Sequence, residues 1–223
     1  MTLTITDIQA RCAALGHPPG TIDGIMGPKT RKSIAAALKE RDASHISDLF
    51  HSSGLHRIHL HWTGGGAGII DLELMHYNEV IDHEGKVHSG KYPVTMQAAY
   101  AVGKAASHTL NANSGAIGLA IDCMADAIEQ PFSAGSAPMT TSQLKVLTER
   151  AAYYCEMFDI PVTRYSVLSH AEIQRILGIN QKRKWDICWI PGMQAPDDPI
   201  LVGDKIREMI LEKLKLKTHS SIY

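Results

Sequence analysis

The sequence predicts an α/β protein, a central sheet flanked by helices, with a small helical unit in front of it. Three observations carry this. The first forty or so residues hold two helical signatures split by a Pro-Gly-rich turn; beyond about residue 55 strand-like apolar runs alternate with amphipathic helical ones; and a hydrophobic share of 44% over 223 residues is enough for a buried core.

In chain order, Thr6-Asp7-Ile8-Gln9 matches a capping box, Ile8, Cys12 and Leu15 recur on one helical face, and Gly16 suits a C-terminal stop. A turn over Ile22-Asp23-Gly24-Ile25-Met26-Gly27 leads to Pro28, which suits the first turn of a second helix reaching about Arg41. A unit of this size has a marginal core by itself, so it is expected to be attached to something larger. A polar stretch with short helical character follows, read as a linker over residues 43–54. Strands are then expected at Arg57 to Trp62, Tyr77 to Asp82 and Ala116 to Ile121, with a hairpin turn at Glu84-Gly85. An amphipathic helix is expected from Thr141 to Phe158, a strand leading to His170, a last helix from about Val202 to Leu216, and a polar tail over 218–223.

Composition narrows the function classes. With Lys+Arg 22 against Asp+Glu 23 the chain lacks the uniform positive field that nucleic acid or an acidic membrane surface would reward. Cys12, Cys123, Cys155 and Cys188 are irregularly spaced, with no Cys-x-x-Cys pair, and read as reduced, mostly buried thiols. No apolar run is long enough to span a bilayer, and Met1-Thr2-Leu3-Thr4-Ile5-Thr6 lacks the basic and apolar segments of a secretion signal, so no membrane insertion is expected.

The chemistry-bearing residues are His61, His170 and Asp186. Each histidine ends a strand-like run, Ile58-His59-Leu60-His61-Trp62 or Tyr165-Ser166-Val167-Leu168-Ser169-His170, and Lys184-Trp185-Asp186 follows the second. Two imidazoles and a carboxylate make the three-ligand set typical of catalytic zinc, whose fourth position is left to water. His59, on the same strand face, competes with His61, and Cys188 competes with Asp186. The Trp62-Thr63-Gly64-Gly65 turn favours His61, and the residues by themselves leave Cys188 open beside Asp186.

Several separated motifs resemble one family, the zinc-dependent N-acetylmuramoyl-L-alanine amidases of type 2, relatives of phage amidase lysozymes and animal peptidoglycan recognition proteins. The resemblance covers roughly Leu55 to Met193: His61 in His-Leu-His-Trp-Thr, the hairpin Tyr77-Asn78-Glu79-Val80-Ile81-Asp82-His83-Glu84-Gly85, Asn113-Ser114-Gly115-Ala116-Ile117-Gly118, Ser169-His170-Ala171-Glu172, and Lys184-Trp185-Asp186. In front of it, Ile8-Gln9 and Asp23, Gly24, Gly27 and Thr30 resemble a three-helix peptidoglycan-binding module. The resemblance implies a mixed sheet flanked by helices, a wall-binding module over 1–42 and a catalytic domain over 55–217. It further implies a bound Zn2+ on His61, His170 and Asp186, catalytic roles for Tyr77 and Lys184, and His108 lining the substrate groove.

Peptidoglycan is the expected partner of a monomer that cleaves the amide between N-acetylmuramic acid and L-alanine. A phage or prophage endolysin, made without a signal peptide and acting on the wall after release, fits that reading. A non-catalytic peptidoglycan receptor and a peptidase acting within the stem peptide are the alternatives. One departure concerns proton transfer: many bacterial members carry a glutamate where this chain has Ala120. Because side chains alternate along a strand, Glu79 is expected to share a face with Tyr77 and to stand in for that carboxylate.

Overall fold

The computed structural model of the chain describes residues 3–66 and 68–220. Helix α1, Ile5–Ala14, starts earlier than the Thr6 capping box would place it, because Thr4 caps it instead. Thr4 Oγ1 accepts from the Asp7 amide at 3.1 Å, and the Asp7 carboxylate accepts from the Thr4 amide at 2.9 Å. Gln9 is thereby free to hold the following turn: its Oε1 accepts from the Asp23 and Gly24 amides, and its Nε2 donates to Asp23 and Thr30. Gly24 sits there at φ +71°, a conformation that suits glycine.

Helix α2, Pro28–Glu40, begins with proline at a position that needs no amide hydrogen. A 3₁₀ turn, Ile46–Leu49, follows, and Leu49 and Phe50 bury against Ile8, Cys12, Ile34 and Ala37. Residues 43–54 are therefore in part the third wall of the helical unit, not a free linker, and their short helical stretch is a 3₁₀ turn.

The unit is joined tightly to the rest. Arg57 Nη2 donates to Asp7 Oδ1 at 2.6 Å with both side chains buried, Arg11 reaches the Leu49 and Asp159 carbonyls, and Ala10 packs in one cluster with Ala112, Leu168, Ile173 and Leu177.

Beyond this unit the fold is a five-stranded mixed sheet flanked by helices. Strand β1 is Arg57–Trp62, followed by helix α3, Asp71–His76, which no periodicity announced. Strands β2, Glu79–Ile81, and β3, Val87–Ser89, form the expected hairpin around Glu84-Gly85. A 3₁₀ segment, Val94–Ala99, precedes strand β4, Ala116–Ile121. Helix α4, Thr141–Met157, strand β5, Val167–Ser169, helix α5, His170–Leu177, and helix α6, Pro199–Ser220, complete the order. The expected polar tail is helical as far as Ser220, and residues 221–223 lie outside the described residues.

The strands run β3-β2-β4-β1-β5, all parallel except the edge strand β3. The register sorts the two faces. Ile58, Leu60 and Trp62 of β1 and Ile117, Leu119 and Ile121 of β4 enter the main core with Leu144, Leu147 and Ala151 of α4 and Val202, Ile206 and Ile210 of α6. Each such large apolar side chain contributes about 1.5–3 kcal/mol when buried. The opposite face carries His59 and His61, and pairs them with Gly118 and Ala120, side chains small enough to leave room for imidazoles.

Candidate metal centre

Parallel sheets place ligands beyond the carboxyl ends of their strands, and that is where the histidines meet. His61 is the fifth of six residues of β1, and His170 follows β5 directly. His170 does not end a strand, as its apolar run suggested, but opens α5, with the Glu172 carboxylate accepting from the Ser169 amide at 2.8 Å. The Asp186 carbonyl accepts from the Ala171 amide at 2.6 Å, one of the amides that the start of a helix leaves unpaired, and this ties the Asp186 loop to α5. Trp185 anchors the same loop by packing edge-on against Trp62, ring centroids 4.7 Å apart.

The result is a compact triangle. His61 Nδ1 lies 3.1 Å from His170 Nδ1 and 3.2 Å from Asp186 Oδ2, and His170 Nδ1 lies 3.1 Å from the same oxygen. All three side chains are buried, and together they form a group able to hold a metal ion. Ligands about 2.0–2.1 Å from a tetrahedral ion stand about 3.3 Å from one another, so the spacing fits such an ion.

Electrostatics agree. Burial pushes the His61 imidazole down to about 4 despite the Asp186 carboxylate beside it, so at neutral pH it is uncharged, as a ligand must be. Burial by itself would raise the Asp186 carboxyl, but the adjoining His170 and His61 imidazoles outweigh it and hold the group at about 2.

Compared with models of known protein families and with curated protein sequences, the chain matches none.

The two competitors for the ligand positions lie elsewhere. His59 sits deeper on the same face, its Nδ1 3.0 Å from Thr109 Oγ1. Cys188 is outside the triangle, with its thiol pushed up to about 12 by burial.

The triangle opens into a cleft of about 870 Å³, lined among others by Tyr77, His108, Lys184 and Asp186. This is within the size range of small-molecule sites. The Tyr77 ring lies 5.2 Å from the His61 ring, and burial, then the nearby Asp186 and Glu73 carboxylates, raise its hydroxyl well above the usual tyrosine range. His108 lines the cleft but is buried behind His61, with Nδ1 3.2 Å from His61 Nε2.

Glu79 is the residue the structure does not bring to the centre. Pairing of Glu79 with Leu119 and of Val80 with Ala120 puts Glu79 on the α4 face, across the sheet from His61. There Arg150 donates to both carboxylate oxygens, at 2.8 and 2.6 Å, and the Tyr154 hydroxyl donates at 2.6 Å. The expectation of a shared face with Tyr77 fails because Tyr77 caps α3 from just beyond its last residue and lies outside β2, where strict strand alternation does not extend.

Sequence reasoning missed Thr109, Gln181 and His76. Gln181 Oε1 receives His170 Nε2 at 3.0 Å, and His76, also in the cleft lining, donates from Nδ1 to the Ser107 carbonyl at 3.0 Å. Their partners lie on other elements, so no local pattern marks them. The signal for the His108 site was Gly118, where a Cβ would lie 2.4 Å from the His108 ring.

Proposed function

We propose that this protein is a zinc-dependent N-acetylmuramoyl-L-alanine amidase of type 2, which hydrolyses the amide between N-acetylmuramic acid and L-alanine in peptidoglycan. The observation that carries the reading is the convergence of three buried donor atoms from three distant motifs, with His170 and Asp186 lining one cleft. The motif order from His61 through Tyr77, Asn113, His170 and Lys184 to Asp186 supports the amidase class, and the Gln9-Asp23-Gly24-Thr30 arrangement supports a wall-binding role for the front unit.

His61 and His170, each through Nδ1, and Asp186 through Oδ2 would hold the ion. Zinc supplies there a lowered pKa for water and a polarised carbonyl. The remaining work falls to the chain. Tyr77 stays a neutral hydroxyl and donates a hydrogen bond to the oxygen on which negative charge develops. Lys184 lines the same cleft and supplies a cation for that charge. Asp186 is the only carboxylate among the described residues lining the cleft, so no separate glutamate is at hand as a base. Trp62, packed on Trp185, fixes the wall between ligand and cation.

The test is digestion of purified peptidoglycan with zinc-loaded protein and mass spectrometry of the products. Stem peptides with a free L-alanine amine, together with unsubstituted muramic acid, support the reading. Cuts within the stem peptide would identify a peptidase, and binding without release of either product a receptor.

A further inference from the structure

We infer that one short segment, His108 to Leu110, sets the tautomer of both metal-binding histidines, which makes His108 and Gln181 positioning residues for the ion. This rests on the metal-binding part of the reading above and not on the choice of substrate.

A neutral imidazole carries one hydrogen and one lone pair, so Nδ1 can bind a metal only if the hydrogen is on Nε2. His108 decides this for His61. Its Nε2 lies 3.1 Å from the Ala116 carbonyl oxygen, which can only accept, so that nitrogen carries the hydrogen and Nδ1 the lone pair. Gln97 Nε2 also lies 3.4 Å from His108 Nε2, but the two hydrogens of that amide have the Ala106, Asn113 and Ala116 carbonyls closer, at 3.1, 3.2 and 3.1 Å. The His108 lone pair faces Thr109 Oγ1 at 2.9 Å and His61 Nε2 at 3.2 Å, and Thr109 Oγ1 is a second acceptor 3.4 Å from that His61 nitrogen. His61 is therefore the Nε2–H tautomer, with its Nδ1 open toward Asp186.

Gln181 does the same for His170. Its amide orientation is fixed by the backbone of Leu110: Nε2 donates to the Leu110 carbonyl at 2.9 Å, and Oε1 accepts from the Leu110 amide at 3.2 Å. The oxygen thus faces His170 Nε2, 3.0 Å away, and that nitrogen must donate. Both Nδ1 lone pairs then converge on a single point, a geometry that only a cation or a shared proton makes favourable.

The segment itself is held in place. Asn113 Oδ1 accepts from the His108 and Thr109 amides at 3.1 and 2.8 Å, and Gly118 leaves space for the His108 ring. Hydrogen-bonded partners of this kind orient metal ligands, and their loss costs about 10- to 100-fold in affinity.

The experiment is long-range proton–nitrogen NMR of the histidines in zinc-free full-length protein, together with zinc affinity by chelator competition for the wild type, His108→Leu and His108→Asn. The expected result is Nε2–H on His61 and His170 in the wild type. His108→Leu should weaken zinc about 10- to 100-fold and shift His61 toward Nδ1–H. His108→Asn, whose amide oxygen can still receive the His61 hydrogen, should restore most of the affinity. Wild-type His61 or His170 in the Nδ1–H form overturns the inference without any variant, so the test survives a His108→Leu protein that fails to fold. Equal zinc affinity in all three proteins, or equal loss in both variants with the His61 tautomer unchanged, also overturns it. A wild type that binds no zinc removes the metal reading, and the inference with it.

Discussion

His61 Nδ1 and His170 Nδ1 stand 3.1 Å apart although 109 positions separate them in the chain. Two lone-pair atoms beside a carboxylate form a pocket of negative potential, and a divalent ion should stabilise the folded state. At zinc 100-fold above its dissociation constant the gain is about 2.7 kcal/mol, or about 5–10 °C in melting temperature. Calorimetry with and without zinc should show this shift in the wild type and none in Asp186→Ala. Cys188→Ala should keep it.

Tyr77 and Lys184 line the cleft without belonging to the triangle. Tyr77→Phe and Lys184→Met should therefore keep their zinc, measured by elemental analysis, while turnover falls about 100-fold or more. Zinc loss in either variant would move that residue into the ligand set.

Glu79 is tied to Arg150 and Tyr154 on the far face of the sheet. Glu79→Gln should leave the rate and its pH profile unchanged and lower stability by about 2 kcal/mol in denaturant unfolding. A displaced pH profile would show that this carboxylate reaches the reaction after all.

Among the described residues, Asp7 is the only carboxylate bonded to the buried Arg57, and Arg57 Nε and Nη1 have no hydrogen-bond partner there. Asp7→Asn leaves that cation uncompensated and should cost about 3–5 kcal/mol. Burial by itself would raise the Asp7 carboxyl, but Arg57, His56 and Thr4 together hold it far below the ordinary carboxylate range. A depressed pKa means stabilisation that is fully present above the unfolded value of about 4 and shrinks as the pH falls below it. Unfolding free energies measured between pH 7 and pH 3 should fall less steeply in Asp7→Asn than in the wild type.

Much of this was legible in the sequence because the signal was local. The apolar runs of β1 and β4 coincide with the observed strands, Arg57–Trp62 and Ala116–Ile121, and the ligand residues sit in short motifs. What was not legible depends on partners far along the chain. Helix α3 has no buried residue and so no periodic apolar face to announce it. Gln181 is informative only once Leu110 and His170 are beside it. Glu79 was misplaced because alternation was counted from a residue outside the strand. The front unit was expected to be tethered through 43–54, whereas the Asp7–Arg57 pair and the apolar cluster that Ala10 shares with Leu168, which need the whole fold, show it docked.

That docking has a mechanical consequence. A module on a slack linker lets its partner domain sample a sphere of positions, with an effective concentration set by the linker's length. Here a buried ion pair and a common apolar cluster leave no slack, so anything gripped by the outer surface of the first two helices is presented to the cleft at a constant stand-off. Under the proposed wall-binding role the joined units would act as a ruler, not a leash, with reach along the polymer decided by the shape of the molecule.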